Sequence, residues 1–193
     1  MAEPESVPVQ DCASDEDDDE TLVLAVAKGS EAAFARLVSR HSASVYALAR
    51  RFTGNDGDTD DLTQEIFWKL WTRAAHWRPG EARFSTWLYR VAVNHCIDWD
   101  RKRRWRRWLP LAEVAEVADD GVAVDRQLEA QQALAEIRSA ILKLPAKQRA
   151  ALLLSVQQEK SNRDIAEIMQ TSEGTVEQLL VRARRTLRGT GSP

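Results

Sequence analysis

From Leu22 to Leu187 the apolar residues return every three or four positions, interrupted by short breaks at Gly54-Asn55-Asp56-Gly57, Arg78-Pro79-Gly80, Asp119-Asp120-Gly121 and Pro145. That spacing marks one face of an α-helix, whereas a half-buried strand needs strict alternation, and no stretch of this chain alternates convincingly. Only 8 glycines and 6 prolines punctuate 193 residues rich in Ala, Leu, Arg, Glu and Gln, so the chain is predicted to be all-α.

The helices can be read one by one. Ser30 suits an N-cap for a helix bearing Phe34, Leu37, Val38, Val45, Leu48 and Phe52. Asp58 to Asp61 bring carboxylates to the positive end of the next, whose stripe is Leu62, Ile66, Phe67, Leu70 and Trp71. Ser85 or Thr86 is expected to cap a helix running through Trp87, Leu88, Val91 and Ile97. Periodicity fades over Leu111–Asp125 and resumes with Leu128, Ile137, Ile141 and Leu144. After Pro145 a helix carries Leu152, Leu153 and Val156; Ser161 then caps a short one with Ile165, Ala166, Ile168 and Met169. Gln170-Thr171-Ser172 turns the chain into a last helix bearing Val176, Leu180 and Leu187. The expected organisation is a disordered arm over 1–20, a helical domain over 21–109, a flexible linker over 110–126 and a second helical domain over 127–190.

Charge is segregated along the chain. The first 20 residues hold nine carboxylates (Glu3, Glu5, Asp11, Asp15, Glu16, Asp17, Asp18, Asp19 and Glu20) and no cation. The remainder sets 27 basic against 21 acidic side chains, a surplus of six that the net charge of −3 conceals. A basic body with an acidic arm points to a polyanionic partner, with the arm able to compete for the same cations. No apolar run approaches a membrane span, and the N-terminus lacks the features of a signal peptide, so a cytoplasmic protein without membrane insertion is expected. Cys12 and Cys96 are the only cysteines. His95-Cys96 has no second ligand pair at metal spacing, so no metal and no cofactor are expected. Neither a nucleophile–base pair nor a phosphate loop is visible, and catalysis is not expected.

The sharpest chemistry lies at Trp99-Asp100-Arg101-Lys102-Arg103-Arg104-Trp105-Arg106-Arg107-Trp108, six cations interleaved with three indoles. Cations neutralise phosphate and indole faces stack on bases that have left a duplex. All seven tryptophans fall between positions 68 and 108. Trp71 and Trp87 suit core stripes, while for Trp99, Trp105 and Trp108 stacking and packing are equally open. The last two helices have the dimensions of a helix-turn-helix, with Arg182, Arg184, Arg185 and Arg188 along the second.

Five ordered blocks resemble the extracytoplasmic-function (ECF) sigma factors of the sigma-70 family. They are Ala33-Phe34 with Leu37-Val38; the stretch from Asp61 through Gln64-Glu65 to Trp68-Lys69-Leu70-Trp71; Phe84 to Arg90 with Asn94, Asp98 and the basic run; Leu144-Pro145-Ala146-Lys147-Gln148-Arg149; and Asp164 to Ile168 followed by Gly174-Thr175-Val176 and Arg182 to Arg188. The match spans roughly residues 22–188. It implies sigma domain 2 in the first half and sigma domain 4 in the second, in a promoter-specificity subunit of bacterial RNA polymerase that associates with the nucleoid during initiation. By resemblance, Asp61, Gln64, Glu65, Trp68 and Lys69 dock on the clamp of the β′ subunit of core RNA polymerase, and domain 4 meets the β flap. Asn94, Asp98, Arg101, Lys102, Arg103 and Arg104 melt and read the minus-ten element of promoter DNA, Asn94 near a flipped non-template base. Ser172, Glu173, Thr175, Gln178, Arg182 and Arg185 read the minus-thirty-five element. An anti-sigma factor is implied as a further partner.

Two features depart from the family pattern: Glu177, Gln178 and Leu179 follow Gly-Thr-Val where Lys, Ser and Arg are common, and the acidic arm is long. The alternative is an autonomous dimeric helix-turn-helix transcription regulator, which accounts for residues 161–188 alone.

Overall fold

The computed structural model of the chain describes residues 18–108, 126–157 and 159–190. Among them are eight α-helices and no strand: α1 (Asp19–Ala27), α2 (Glu31–Thr53), α3 (Asp56–Arg73), α4 (Phe84–Trp108), α5 (Arg126–Lys143), α6 (Ala146–Gln157), α7 (Asn162–Met169) and α8 (Glu173–Thr190), with a 3-10 turn at Ala74–His76. The all-α expectation holds. Most of the arm, and the expected linker up to Asp125, lie outside the described residues.

Three boundaries differ from the sequence reading. The arm gives way to helix before residue 20, because Asp18 accepts the N–H of Thr21 at 2.8 Å and caps α1, whose first turn holds Asp19 and Glu20. Carboxylates that read as a solvated tail are here at the positive end of a helix. α3 starts at Asp56, inside the expected break, since Asn55 Oδ1 accepts the N–H of Asp58 at 2.8 Å. α4 begins at Phe84, so Ser85 and Thr86 are helical residues rather than caps, and the first carbonyl accepting into the helix is that of Arg83, from Trp87 N–H at 3.1 Å. Ser30 and Ser161 do cap α2 and α7, as their positions predict.

α1 to α4 enclose Leu22, Leu37, Leu48, Phe52, Leu62, Ile66, Leu70, Phe84 and Leu88, all fully buried. The second half has a small cluster of its own, Leu144, Leu152 and Ala183, and is otherwise continuous with the first. Leu154, Ile165, Ile168 and Val176 belong to the same continuous apolar cluster, and α4 packs against α6 and α7 as well as α2 and α3. Gly54 shows how close the halves come. It ends α2 with φ 83°, a left-handed conformation that suits glycine, and a Cβ there would stand 2.5 Å from a Leu142 methyl of α5.

Two residues of the expected apolar stripes are exposed. Ile137 of α5 is 54% exposed and Val156 of α6 is 66% exposed. α5 packs mainly on α2 and α8, and α6 buries Ala150 to Leu154 among α2, α4, α7 and α8, leaving Val156 at its open end.

Candidate nucleic-acid interface

α3 turns Leu62, Ile66 and Leu70 inward, which leaves Asp61, Gln64, Glu65 and Trp68 exposed and Lys69 half-buried on the other side. Trp68 is 62% exposed. An indole displayed beside Gln and Glu, over a helix whose apolar side is already satisfied, is the composition of an interface anchor. Trp71, one turn away in the other direction, instead meets Phe34 edge to face at 5.2 Å and is structural.

α4 packs along α3 and sets the second group of residues beside the first. Asn94 is exposed. Next to it the half-buried His95 brings Nδ1 to 3.7 Å from Glu65 of α3. Burial lowers the His95 pKa, with Glu65 raising it against that effect, so at neutral pH the ring is neutral and the contact is no ion pair. Thus the two predicted sets, on α3 and on α4, form adjoining surfaces. Cys96 points the other way. It is fully buried and desolvation pushes its thiol up to about 12, so it packs as a neutral side chain and offers no thiolate to a metal.

Further along α4 the cations are not equivalent. Asp98 pairs with Arg101 at 3.0 Å on the surface. Arg103 lies over the Trp99 ring at 5.2 Å, which holds that indole against its own helix. Lys102 is exposed, and Trp105 is 71% exposed, leaving its ring face open for stacking. Arg104 differs from the rest: its Nε donates to Asp100 at 2.7 Å and one Nη reaches the Leu144 carbonyl at 3.4 Å.

The third group rides on α8. Gln170 in the left-handed conformation ends α7 and aims the chain into the turn. Val176, Leu180 and Ala183 are buried, while Ser172, Glu173, Thr175, Gln178, Arg182 and Arg185 are all exposed. Ser172 Oγ accepts the N–H of Thr175 at 3.2 Å and its hydroxyl meets that of Thr175 at 2.9 Å. Ser172 Oγ therefore caps α8 with the Thr175 hydroxyl bonded to it, and Glu173, Glu177 and Gln178 are outward polar groups near that end.

One residue pair at the centre of the molecule had no predicted role. Arg149 of α6 is 2% exposed and Asp100 of α4 is 7% exposed. The arginine donates through Nη1 to the Phe52 carbonyl at 2.8 Å and through Nη2 to the Leu144 carbonyl at 3.0 Å, with Asp100 Oδ1 at 3.3 Å. Its guanidinium also lies 4.7 Å over the Phe52 ring. A sequence signal existed: Arg149 falls on the stripe of Leu152 and Leu153, where a cation must be buried with partners or displace the helix.

Two family models match the chain, Sigma-70 region 2 over residues 37–106 and Sigma-70 region 4 over residues 134–187. The chain is 34% identical over 172 residues to the ECF RNA polymerase sigma factor SigW of Bacillus subtilis, covering 84% of this chain and 91% of the relative. The chain belongs to the ECF sigma factors of the sigma-70 family. It is likewise 33% identical to the ECF sigma factor SigM of Mycobacterium tuberculosis, over 88% of this chain and 82% of the relative. Among solved structures, CnrH in complex with the cytosolic domain of CnrY matches with a TM-score of 0.65 at 26% identity, over 90% of this sigma factor and 96% of CnrH. The sigma factor RpoE bound to the anti-sigma factor NepR from Bartonella quintana shares the fold, with a TM-score of 0.59 at 22% identity and coverage of 81% and 95%. As a sigma factor the chain serves DNA-templated transcription initiation by RNA polymerase. The alternative of an autonomous dimeric regulator leaves the region 2 match over residues 37–106 without a task.

Proposed function

We propose that the three exposed groups divide the work of initiation. Asp61, Gln64, Glu65, Trp68 and Lys69 dock the factor on the β′ clamp of core polymerase. Asn94, Asp98 and the Arg101–Arg104 run meet the minus-ten element, Asn94 offering its amide to the edge of an unstacked base. On α8, Gln178 and Glu173 face base edges of the minus-thirty-five element, with Arg182 and Arg185 on flanking phosphates, and domain 4 contacts the β flap. The functional units are residues 21–109 and 127–190, joined by residues 110–126. The factor acts in the cytoplasm and an anti-sigma protein controls it, as the complexes of its structural relatives suggest.

The observation that carries this reading is the adjacency of the Trp68 face and the Asn94 surface on two packed helices. A duplex loses roughly 1.4 kcal/mol of stacking per step on opening, so a bubble of about a dozen pairs requires well over 10 kcal/mol. Each base captured on an aromatic ring returns about 1–3 kcal/mol. A surface of this size can start melting and cannot sustain it, so it has to work against a larger body that grips the strands, and Trp68 stands where that body would attach.

The test is core binding. Trp68→Ala combined with Gln64→Ala is expected to weaken stoichiometric binding to core polymerase by about tenfold or more, with helicity unchanged by circular dichroism. Wild-type affinity in the double variant would remove the α3 face from this assignment.

A further inference from the structure

We infer that the acidic arm has a docking site on its own chain. Carboxylates of the segment Asp11–Asp17 enter the cationic pocket between the turn at Arg78 and the first half of α4, and an anionic DNA strand has to displace them. That DNA meets this pocket rests on the assignment of the minus-ten element to α4 made above, whereas the docking stands without it.

The pocket measures about 200 Å³ and is lined by His76, Trp77, Arg78, Glu81, Trp87 and Arg90. Trp77 is buried and donates its indole N–H to the Ala82 carbonyl at 3.2 Å, which fixes the turn as one wall. Trp87 and Arg90 come from α4. Arg90 spends one Nη on the Glu167 carbonyl at 3.3 Å, while its Nε is buried without an acceptor. Glu81 is the carboxylate of the lining, and among the described residues neither arginine is ion-paired with it. Two guanidiniums, one with a buried donor unspent, suit a carboxylate or a phosphate. Arg90 also lies four residues before the exposed Asn94 and so on the same face of α4. An anion in the pocket therefore stands beside the residue assigned to the unstacked base.

The arm is rooted close by. Asp18 caps α1, and Asp19 meets His41 Nε2 at 2.7 Å and Arg40 at 3.1 Å. The His41 ring lies 5.4 Å from that of Phe84, which lies 6.1 Å from the Trp87 ring of the pocket wall. These steps put the root within about 20 Å of the pocket, a span that about six extended residues cover. Asp11 therefore reaches the pocket, with Asp15, Glu16 and Asp17 strung along the approach. The basic run is a poorer target. Arg101 stands about 26 Å farther along α4 than Phe84, and a chain stretched to it has only Glu3 and Glu5 left to offer. Exposed ion pairs are individually weak and screened by salt, but a short tether holds its carboxylates at an effective concentration around millimolar. A phosphate then replaces a carboxylate instead of entering an empty pocket. That exchange disfavours any strand that brings phosphate alone, and less so one that also gives Asn94 a base edge.

Cys12 gives direct access to the question, because Cys96 is fully buried and leaves it as the thiol that a nitroxide reagent modifies. In the full-length chain labelled there, the indole N–H signals of Trp77 and Trp87 should broaden at low salt while those of Trp68 and Trp105 do not. The broadening should recede at about 0.5 M salt and in Arg78→Glu, a change at an exposed turn position. Broadening that ignores both salt and Arg78→Glu would mean a tethered, undocked tail and overturn the docking. Broadening centred on Trp105 would overturn it in favour of the basic run. The second arm of the test uses a fluorescent thymine single strand. Deletion of residues 2–17, which spares the Asp18 cap, should tighten its binding about fivefold at low salt, as for a pocket occupied about four-fifths of the time, and leave it unchanged at high salt. Equal affinities at low salt would overturn the competition. Salt-sensitive broadening at Trp77 and Trp87 in a chain that binds the strand in neither form would support the docking and overturn instead the minus-ten assignment made above.

Discussion

α4 and α8 both present arginines to solvent, yet they are built and held differently. α4 is a helix of 25 residues, about 37 Å long, packed against α2, α3, α6 and α7, with Leu88, Ala92, Val93 and Cys96 buried along it. α8 is shorter, starts from the Ser172 cap, and depends on α5, α6 and α7 for its packing. Beside the cations of α4 stand indoles, Trp99 under Arg103 and Trp105 open to solvent. Near the start of α8 stand Glu173, Glu177 and Gln178, with Arg182 and Arg185 one to two turns later. Cations beside aromatic faces suit strands that have come apart, whereas amides and carboxylates ahead of cations suit the edges of paired bases with phosphates behind them. What separates the proposed tasks of the two helices is the neighbours of the charge rather than the charge itself.

The comparison breaks most directly at Asn94. Asn94→Ala is expected to reduce open-complex formation on duplex promoters by about tenfold, the loss of roughly 1–3 kcal/mol of hydrogen bonding to the edge of an unstacked base, and to change pre-melted templates much less. Permanganate reactivity of unpaired thymines on the two templates reports the difference. Equal losses on both would mean that Asn94 serves binding in general, and the contrast between α4 and α8 would lose its basis.

How much of this was readable in the sequence varies with the kind of interaction. Leu62, Ile66 and Leu70 repeat at helical spacing, and that local pattern suffices to expose Gln64 and Trp68. Ser161 and Ser30 announce their helices because a cap is a contact over three residues. Ile137 and Val156 misled because periodicity identifies an apolar face without saying whether anything covers it. The seating of the second half on the first was not legible. It depends on Arg149 meeting Phe52 across 97 positions and Asp100 across 49, and on Gly54 leaving room for Leu142. No spacing rule links residues so far apart, and Asp100 within a basic run reads as one more surface charge until its burial is known.

Gln178 sharpens the other side of the comparison with a smaller effect. With Ser172 capping α8 and the Thr175 hydroxyl bonded to it, Gln178 is the exposed amide near the start of α8. Gln178→Ala should relax preference at one upstream position by about 1 kcal/mol, at the low end of the range for a bidentate contact to adenine, while leaving melting of the minus-ten region unchanged. Competition binding with single-base variants of the upstream element measures it. A uniform loss across all variants would reassign Gln178 to the phosphate backbone together with Arg182.

The smallest expected effect concerns how the helix-turn-helix is held. Ser161 caps α7 by accepting the Asp164 N–H at 3.1 Å, while its own hydroxyl and N–H donate to the Asp164 carboxylate at 2.6 and 3.1 Å. These bonds, the side-chain one foremost, hold the Asp164 carboxyl below its ordinary value of 3.8. A carboxyl depressed in the folded state contributes stability that is fully present above its unfolded value and is lost as the pH falls through the folded value. Ser161→Ala should therefore lower stability by about 0.5–1 kcal/mol at neutral pH, the low end because the cap is exposed and water replaces part of what is lost. The gap between wild type and variant should narrow as the pH drops below 3.8, where protonated Asp164 no longer accepts the same bonds. Urea unfolding of both proteins at neutral and acidic pH, with amide exchange in α7 as a local probe, decides the matter. If the stability gap is the same at both, the carboxylate adds nothing to the cap. α7 would then be held by Ile165 and Ile168 against the shared core alone, as α4 is held by its own buried flank.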